Sequence, residues 1–220
     1  MLKRSFDIVL SLIALILFAP LLVVCAVIVK LASPGPVFYR GKRVGRGGRE
    51  FLMLKFRSMV VNADQIGTDL TPQDDPRVTR IGRFLRKTKI DELPQIIDVL
   101  KGNMSIVGPR PESPLYARHY NERQKQVLVC RPGIVGPTQI EYRHEELILK
   151  DKKDPDAYYI QELMPRKLEI DLDYVENRSF LLDIKILFRA LLAVSAILGS
   201  PSARNSERGK AQSRGVTSNA

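Results

Sequence analysis

The sequence has no tryptophan, two cysteines and two histidines in 220 residues, and aromatics make up only 7% of it. Cys25 and Cys130 lie far apart, Cys25 inside an apolar run, so neither a disulfide framework nor a metal cluster is suggested. A reducing, cytosol-facing location fits this cysteine usage. Scarce aromatics leave few platforms for stacking bases, and no zinc-finger spacing or RRM signature occurs, which argues against a compact nucleic-acid module. The length admits one domain of ordinary size and leaves no room for two. Hydrophobic residues at 45% exclude a chain that is disordered throughout.

Positive charge is in excess, with 35 Lys+Arg against 24 Asp+Glu and a formal net charge of +11. Residues 1–58 hold ten basic and two acidic side chains, and residues 199–220 hold four and one, so the two ends supply +8 and +3. Residues 59–198 carry 21 of each sign and are neutral. A nucleic-acid binder would spread its excess over the folded body, so the terminal excess points to a membrane surface instead. The Ser/Arg/Gly/Asn mixture after Gly199 has too little apolar surface to order itself and reads as a tail.

From Ile8 to Val29 run 22 residues without a charge, long enough to span a bilayer. Pro34 disfavours signal cleavage after the run, which reads as retained. Lys3 and Arg4 precede it, and Lys30, Arg40, Lys42, Arg43, Arg46 and Arg49 follow it, so both flanks have a cytoplasmic character. Pro20 near the middle predicts a kink or a break. Two readings follow: a re-entrant helix that leaves by the leaflet it entered, or an ordinary spanning helix with a tolerated proline.

Beyond the Pro34-Gly35-Pro36 turn, Val37 to Tyr39 and Phe51 to Phe56 read as two short strands around a loop, Arg40 to Arg49, with five basic residues. Attraction to anionic headgroups is the default use of those charges. Gly67 to Pro76 is a polar loop, and Arg77 to Lys87 reads as a basic amphipathic helix. Asp91 and Glu92 then stand just before a helix that Pro94 opens, where the helix dipole favours both as carboxylates. Acidic residues at such a place are most often caps. Gly108-Pro109-Arg110-Pro111 and Arg131-Pro132-Gly133-Ile134 follow, each with an arginine braced by prolines. Carboxylates and braced arginines beside a membrane anchor suggest phosphoryl chemistry on an anionic substrate with a metal.

Phe6-Asp7-Ile8, the central Pro20, Lys55-Phe56-Arg57-Ser58-Met59, Asp91-Glu92-Leu93-Pro94-Gln95, the two arginine motifs, Asp171 to Val175 and Ser179 to Leu187 occur together here. In this combination the chain resembles the bacterial monotopic phosphoglycosyl transferases, also called bacterial sugar transferases, from about Lys3 to Leu198. The resemblance implies transfer of a sugar-1-phosphate from a UDP-sugar to a polyprenyl (undecaprenyl) phosphate, with release of UMP, as the first membrane step of bacterial surface glycan assembly. It implies Asp91 as the nucleophile of a covalent aspartyl-phosphosugar intermediate and Glu92 as the ligand of Mg²⁺. Lys55, Arg86, Arg110, Arg131 and Arg143 are then expected to bind phosphate, and Asp171 to orient an arginine or bind nucleotide.

The implied fold is α/β, mostly helical with a small β-hairpin. A re-entrant helix-break-helix over 1–33, broken at Pro20, is expected to anchor a catalytic domain over 34–198, ringed by interfacial amphipathic helices and followed by a disordered basic tail over 199–220. The absence of several preceding spans suggests the small, single-domain version. The expected location is the cytoplasmic face of the bacterial inner membrane, with membrane lipid as a partner, no nucleic acid, and a homodimer left open. Ala19 departs from the serine that often precedes the family's break, and Val135 to Arg143 departs from the family's usual run after R-P-G-I. Glu145 to Pro165 is charged and unusual, and is where sugar preference is expected. The rivals from other classes are a non-catalytic membrane-surface scaffold and a membrane-tethered nucleic-acid binder.

Overall fold

The computed structural model describes residues 2–199, with side chains through residue 193. The elements in order are α1 (Leu2–Ala32), β1 (Phe38–Val44), β2 (Glu50–Phe56), α2 (Ala63–Ile66), α3 (Arg80–Thr88), a 3-10 turn (Ile90–Glu92), α4 (Gln95–Lys101) and β3 (Ser105–Val107). After them come α5 (Pro114–Ala117), a 3-10 stretch (Gln124–Val129), β4 (Gly133–Val135), α6 (Pro137–Glu141) and α7 (Glu145–Leu149). The last helical run joins α8 (Pro155–Tyr158), a π-helical stretch (Tyr159–Leu163) and α9 (Met164–Glu176), and α10 (Phe180–Gly199) follows. The fold is mostly helical with small sheets, as expected. Apart from Gly199, which ends α10, the tail expected over 199–220 lies outside the described residues.

The apolar run forms α1, which continues as one helix through Pro20, so the expected break is not an interruption of the helix. Among the described residues it is the one helix long and apolar enough to cross a membrane. Its middle is bare, with Leu12, Ile13, Ile16, Leu17 and Val23 exposed, whereas Asp7, Ser11, Cys25 and Val29 are buried. Those four positions share one helical stripe, since 7, 11, 25 and 29 repeat at multiples close to 3.6 residues. Both ends of the stripe meet the same body. Near the start, Lys3 donates to Asp183 and to the Val107 carbonyl, Arg4 donates to the Val99 and Leu100 carbonyls, and Asp7 accepts from Ser105 Oγ and the Ile106 N–H. Near the end, Cys25 and Val29 pack with Phe56 and Leu85, and Arg57 donates to the carbonyls of Val29, Ser33 and Pro34.

The strands β1 and β2 form an antiparallel hairpin from Phe38↔Phe56 to Val44↔Glu50. Strand β1 therefore runs five residues further than the sequence reading placed it, through Arg40 to Val44. Arginine and lysine stems tolerate a half-exposed strand, and the basic run hid a ladder that needs only backbone groups. The true turn is shorter and uses Gly47 and Gly48, both at positive φ (68° and 76°), where a Cβ is costly. Helix α3 starts at Arg80, three residues later than expected. Arg77 is instead a buried clamp that donates to the Asp75 carboxylate and to the carbonyls of Ala63, Thr68 and Leu70.

The second sheet is the parallel pair β3 and β4, with Ser105↔Gly133 and Val107↔Val135. It sets the G-P-R-P motif against the R-P-G-I motif at backbone contact. A Cβ on Gly133 would lie 2.1 Å from the Gly108 nitrogen, so only glycine fits. Three apolar clusters complete the body: one under α9 with Tyr116, Tyr159 and Leu168, one of Met53, Val99, Met104 and Tyr174, and one where α1 meets Phe56 and Leu85. Helix α10 buries Asp183 and Ile186 against the second of these and leaves Leu181, Phe188, Leu191 and Leu192 outside.

Asp7 carries the front attachment of α1, because its loss leaves a buried hydroxyl and a buried N–H without an acceptor. Asp7→Ala is expected to cost about 1–3 kcal/mol and to lower the melting temperature in detergent. An unchanged melting temperature would show that the attachment carries no stability.

Candidate active site

The 3-10 turn Ile90–Glu92 delivers two adjacent carboxylates between α3 and α4, and Pro94 caps α4 directly behind them. Glu92 Oε1 accepts from Lys55 Nζ at 2.8 Å and from Arg110 at 3.1 Å. Lys55 comes from β2 and Arg110 from the loop after β3, so three segments distant in sequence meet at one oxygen. Asp91 is only 5% exposed, and among the described residues its Oδ1 has no hydrogen-bond partner. An orphan buried carboxylate oxygen is costly to keep, and such groups mark sites that expect something else to bind.

The pair is electrostatically split. Burial pushes the Asp91 carboxyl above the usual range, and Glu92 adds to this while Lys55, Arg86 and Lys89 oppose it. For Glu92, burial raises and Lys55, Arg110 and Lys89 lower, and the cations win, holding it well below the usual range. The expectation that both would be held as carboxylates is therefore met at Glu92, while the shift at Asp91 runs the other way: the helix-dipole argument took no account of burial. Burial likewise pulls Lys55 down, with Glu92 resisting. Arg110 is raised, first by Glu92.

Of the residues expected to bind phosphate, Lys55 and Arg110 join the carboxylates directly. Arg86, at the end of α3, is half-buried and acts on Asp91 through its charge. Arg131 stands elsewhere: its Nε donates to the Gly102 carbonyl at 2.8 Å, at the opposite end of α4 from Asp91. Arg143 is half-buried just beyond α6. Asp171 is buried in α9, accepts from Thr138 Oγ1 at 3.1 Å, and feels the Arg110 backbone N–H. Its carboxyl is pushed up to about 7, first by burial.

A polar network behind Arg110 was missed. Tyr159, in the π-helical stretch, donates to Glu112, while Lys167 donates to Glu145 at 2.6 Å and to Tyr159 Oη at 3.2 Å. Glu145 and Glu112 both act on Arg110. The one signal available beforehand was Glu112 directly after G-P-R-P, together with the i, i+4 spacing of Lys167 and Asp171 on one helix face. π-helical turns gather at functional sites, and this one lies inside the stretch expected to hold sugar preference. Among the described residues no group of three His, Cys, Asp or Glu could hold a metal ion.

The sequence pattern of the family described as bacterial sugar transferase matches residues 1–196. The chain belongs to that family. Among its relatives, the UDP-N-acetylgalactosamine-undecaprenyl-phosphate N-acetylgalactosaminephosphotransferase of Aeromonas hydrophila is 39% identical over 201 residues, 90% of this chain and 44% of that protein. The UDP-glucose:undecaprenyl-phosphate glucose-1-phosphate transferase of Escherichia coli (strain K12) is 43% identical over 196 residues, 86% of this chain and 39% of that protein. The exopolysaccharide production protein ExoY of Sinorhizobium fredii is 36% identical over 213 residues, covering 90% of this chain and 87% of that protein. The chain thus spans less than half the length of the first two relatives, and most of the third.

Asp171 gives the site a pH signature. Its folded pKa of about 7 lies above the ordinary 3.8, so the folded state holds a proton that the unfolded state releases. Stability therefore falls as pH rises through that window. Asp171→Asn is expected to shrink the drop in melting temperature between pH 5 and pH 8. A drop as large as in the parent chain would place the titration elsewhere.

Proposed function

We propose that this protein transfers a sugar-1-phosphate from a UDP-sugar to undecaprenyl phosphate at the cytoplasmic face of the bacterial inner membrane. The observation that carries this reading is the buried Asp91 oxygen without a partner, set beside the Lys55–Glu92–Arg110 cluster in a member of this family. The substrates named for its relatives, UDP-glucose or UDP-N-acetylgalactosamine and undecaprenyl phosphate, are the class it takes.

Asp91 attacks the sugar-proximal phosphorus of the UDP-sugar. An O–P bond forms to the carboxylate, the bridging P–O bond breaks, and UMP leaves with that electron pair. The polyprenyl phosphate oxygen then attacks the same phosphorus and releases Asp91, giving a polyprenyl-diphospho-sugar. A carboxylate nucleophile divides one difficult displacement into two. Lys55, Arg110 and Arg86 offset the negative charge that a diphosphate brings to two carboxylates, and Arg110 is able to leave Glu92 for a phosphate oxygen in a bidentate fork. Glu92 and the free Asp91 oxygen fit a Mg²⁺ ion completed by phosphate oxygens, as this cation prefers one or two carboxylates plus substrate. When bound, that ion supplies charge neutralisation on the leaving phosphate.

The anchor proposed is a re-entrant α1 over 1–33, bent about Pro20, with the catalytic domain of 34–198 on the lipid surface. Support comes from the attachment of both ends of α1 to one body, because a bilayer between Arg4 and Val29 would have to cut that body. The apolar outer face of α10 fits the same surface.

Purified protein given undecaprenyl phosphate, Mg²⁺ and a panel of UDP-sugars is expected to release UMP with at least one of them. Asp91→Asn should lower turnover at least about a thousandfold, and Arg110→Gln by about a hundredfold. Intact-mass spectrometry with UDP-sugar alone should find a phosphosugar adduct on Asp91. No UMP from any UDP-sugar would favour a membrane-surface scaffold, and an adduct that persists in Asp91→Asn would reassign the nucleophile.

A further inference from the structure

Helix α4 is seven residues long, and both of its ends are tied to places far away in sequence. Its start carries Asp91 and Glu92. At its C-terminal end, where a helix runs short of internal donors, arginines step in: Arg4 donates to Val99 at 2.7 Å, a carbonyl that also accepts from the Gly102 N–H, and to Leu100 at 3.0 Å, and Arg131 donates to Gly102 just beyond. Gly102 closes the helix at φ 87°, and a Cβ there would stand 3.5 Å from the Arg4 guanidinium, so the fork is seated against the cap.

The middle of α4 is tied as well. Asp98 is 1% exposed, and its Oδ2 accepts from the Leu54 N–H of β2 at 2.8 Å. Here a side chain stands where a neighbouring strand would stand, holding the edge of the hairpin. The next residue on β2 is Lys55, which reaches Glu92. The contacts therefore close a ring, from Glu92 to Lys55, along the backbone to Leu54, across to Asp98 and back through α4.

We propose that Arg4 and Asp98 are positioning residues for the transfer reaction, clamping α4 so that the seating of α1 in the membrane sets where Asp91, Glu92 and Lys55 stand. The inference rests on the function proposed above. Neither residue reaches the carboxylates; each acts through α4. Arg4 belongs to the membrane helix, and its guanidinium is spent on two carbonyls of the catalytic segment. Lys30, at the other flank of the apolar run, is exposed and among the described residues reaches the Gly35 carbonyl of its own connecting loop, at 3.3 Å. The two flanks carry the same charge and differ in what they hold. A shift of about 1 Å at a reacting group is enough to slow a displacement about a hundredfold.

The test uses the full chain in nanodiscs containing phosphatidylglycerol. Arg4→Gln is expected to lower kcat about 10- to 100-fold with KM for the UDP-sugar changed less than about threefold, and Arg4→Lys to recover most of the loss. Lys30→Gln, which removes the same charge, should keep kcat within about twofold. Asp98→Ala should lower kcat as Arg4→Gln does, and Asp98→Asn, which keeps an acceptor oxygen, should retain it. Hydrogen exchange without substrate should quicken at the amides of 95–101 and 54–56 in Arg4→Gln, with global protection unchanged.

Equal losses in Arg4→Gln and Lys30→Gln, tracking release from phosphatidylglycerol vesicles, would overturn the proposal and leave Arg4 as a headgroup contact. Full activity in Arg4→Gln would overturn it too, as would unchanged exchange at 95–101. If Asp98→Ala does not fold, Arg4→Gln and its exchange pattern still decide. A parent chain inert with every UDP-sugar would sink the proposed reaction, while the exchange result would still judge the clamp.

Discussion

Two carboxylates withdrawn from water can stand side by side only where positive charge is delivered to them, and here that charge reaches Glu92 from Lys55 and Arg110. The cost of burying an uncompensated ion would otherwise be several kcal/mol. Supplying both cations at one oxygen obliges the hairpin, the loop after β3 and the turn before α4 to converge. The glycine contact between β3 and β4 and the edge contact between Asp98 and β2 serve that convergence. Both cations are held on Glu92, so the buried acid pair is tied to three segments at once.

The charge pattern and the shape of the molecule describe the same division of labour. The neutral body holds matched pairs around its polar clusters, and the +8 of residues 1–58 accompanies a bare apolar helix. A water-soluble globule would hide the middle of α1; this chain hides only the two ends and turns the rest outward. Arg4 points from the start of α1 into carbonyls of the body, and Arg57, just after β2, points from the body into the Val29 and Ser33 carbonyls at the other end, so arginines at both ends of the helix act as internal fasteners.

Features that follow from local rules were legible in the sequence. The apolar helix, the β1–β2 hairpin and Pro94 ahead of α4 could be named from spacing, and Asp91, Glu92, Lys55 and Arg110 from resemblance. What stayed hidden depends on partners supplied by the fold. Arg77 read as the first turn of a helix because its carbonyl acceptors lie in a loop with no periodicity. Arg131 looked like a phosphate ligand because proline bracing marks rigidity and does not reveal direction. The upward shift of Asp91 was invisible because burial is a property of packing, and the helix-terminus argument assumes exposure. The tie between Tyr159 and Glu112, 47 residues apart, has no sequence signature at all.

The π-helical stretch Tyr159–Leu163 has a bearing on how much this chain can vary. A π turn holds one more residue than an α turn, so the helical run from Pro155 to Glu176 reads its two ends in different angular registers. At its first residue, Tyr159 donates to Glu112; downstream of it, Lys167 reaches Glu145 and Tyr159, and Asp171 accepts from Thr138. Deleting a single residue would restore regular winding and swing the upstream half by about 100° about the axis. The count of residues between Tyr159 and Lys167 is therefore an angular coordinate of the site, whereas loop length ahead of Pro155 leaves that angle unchanged.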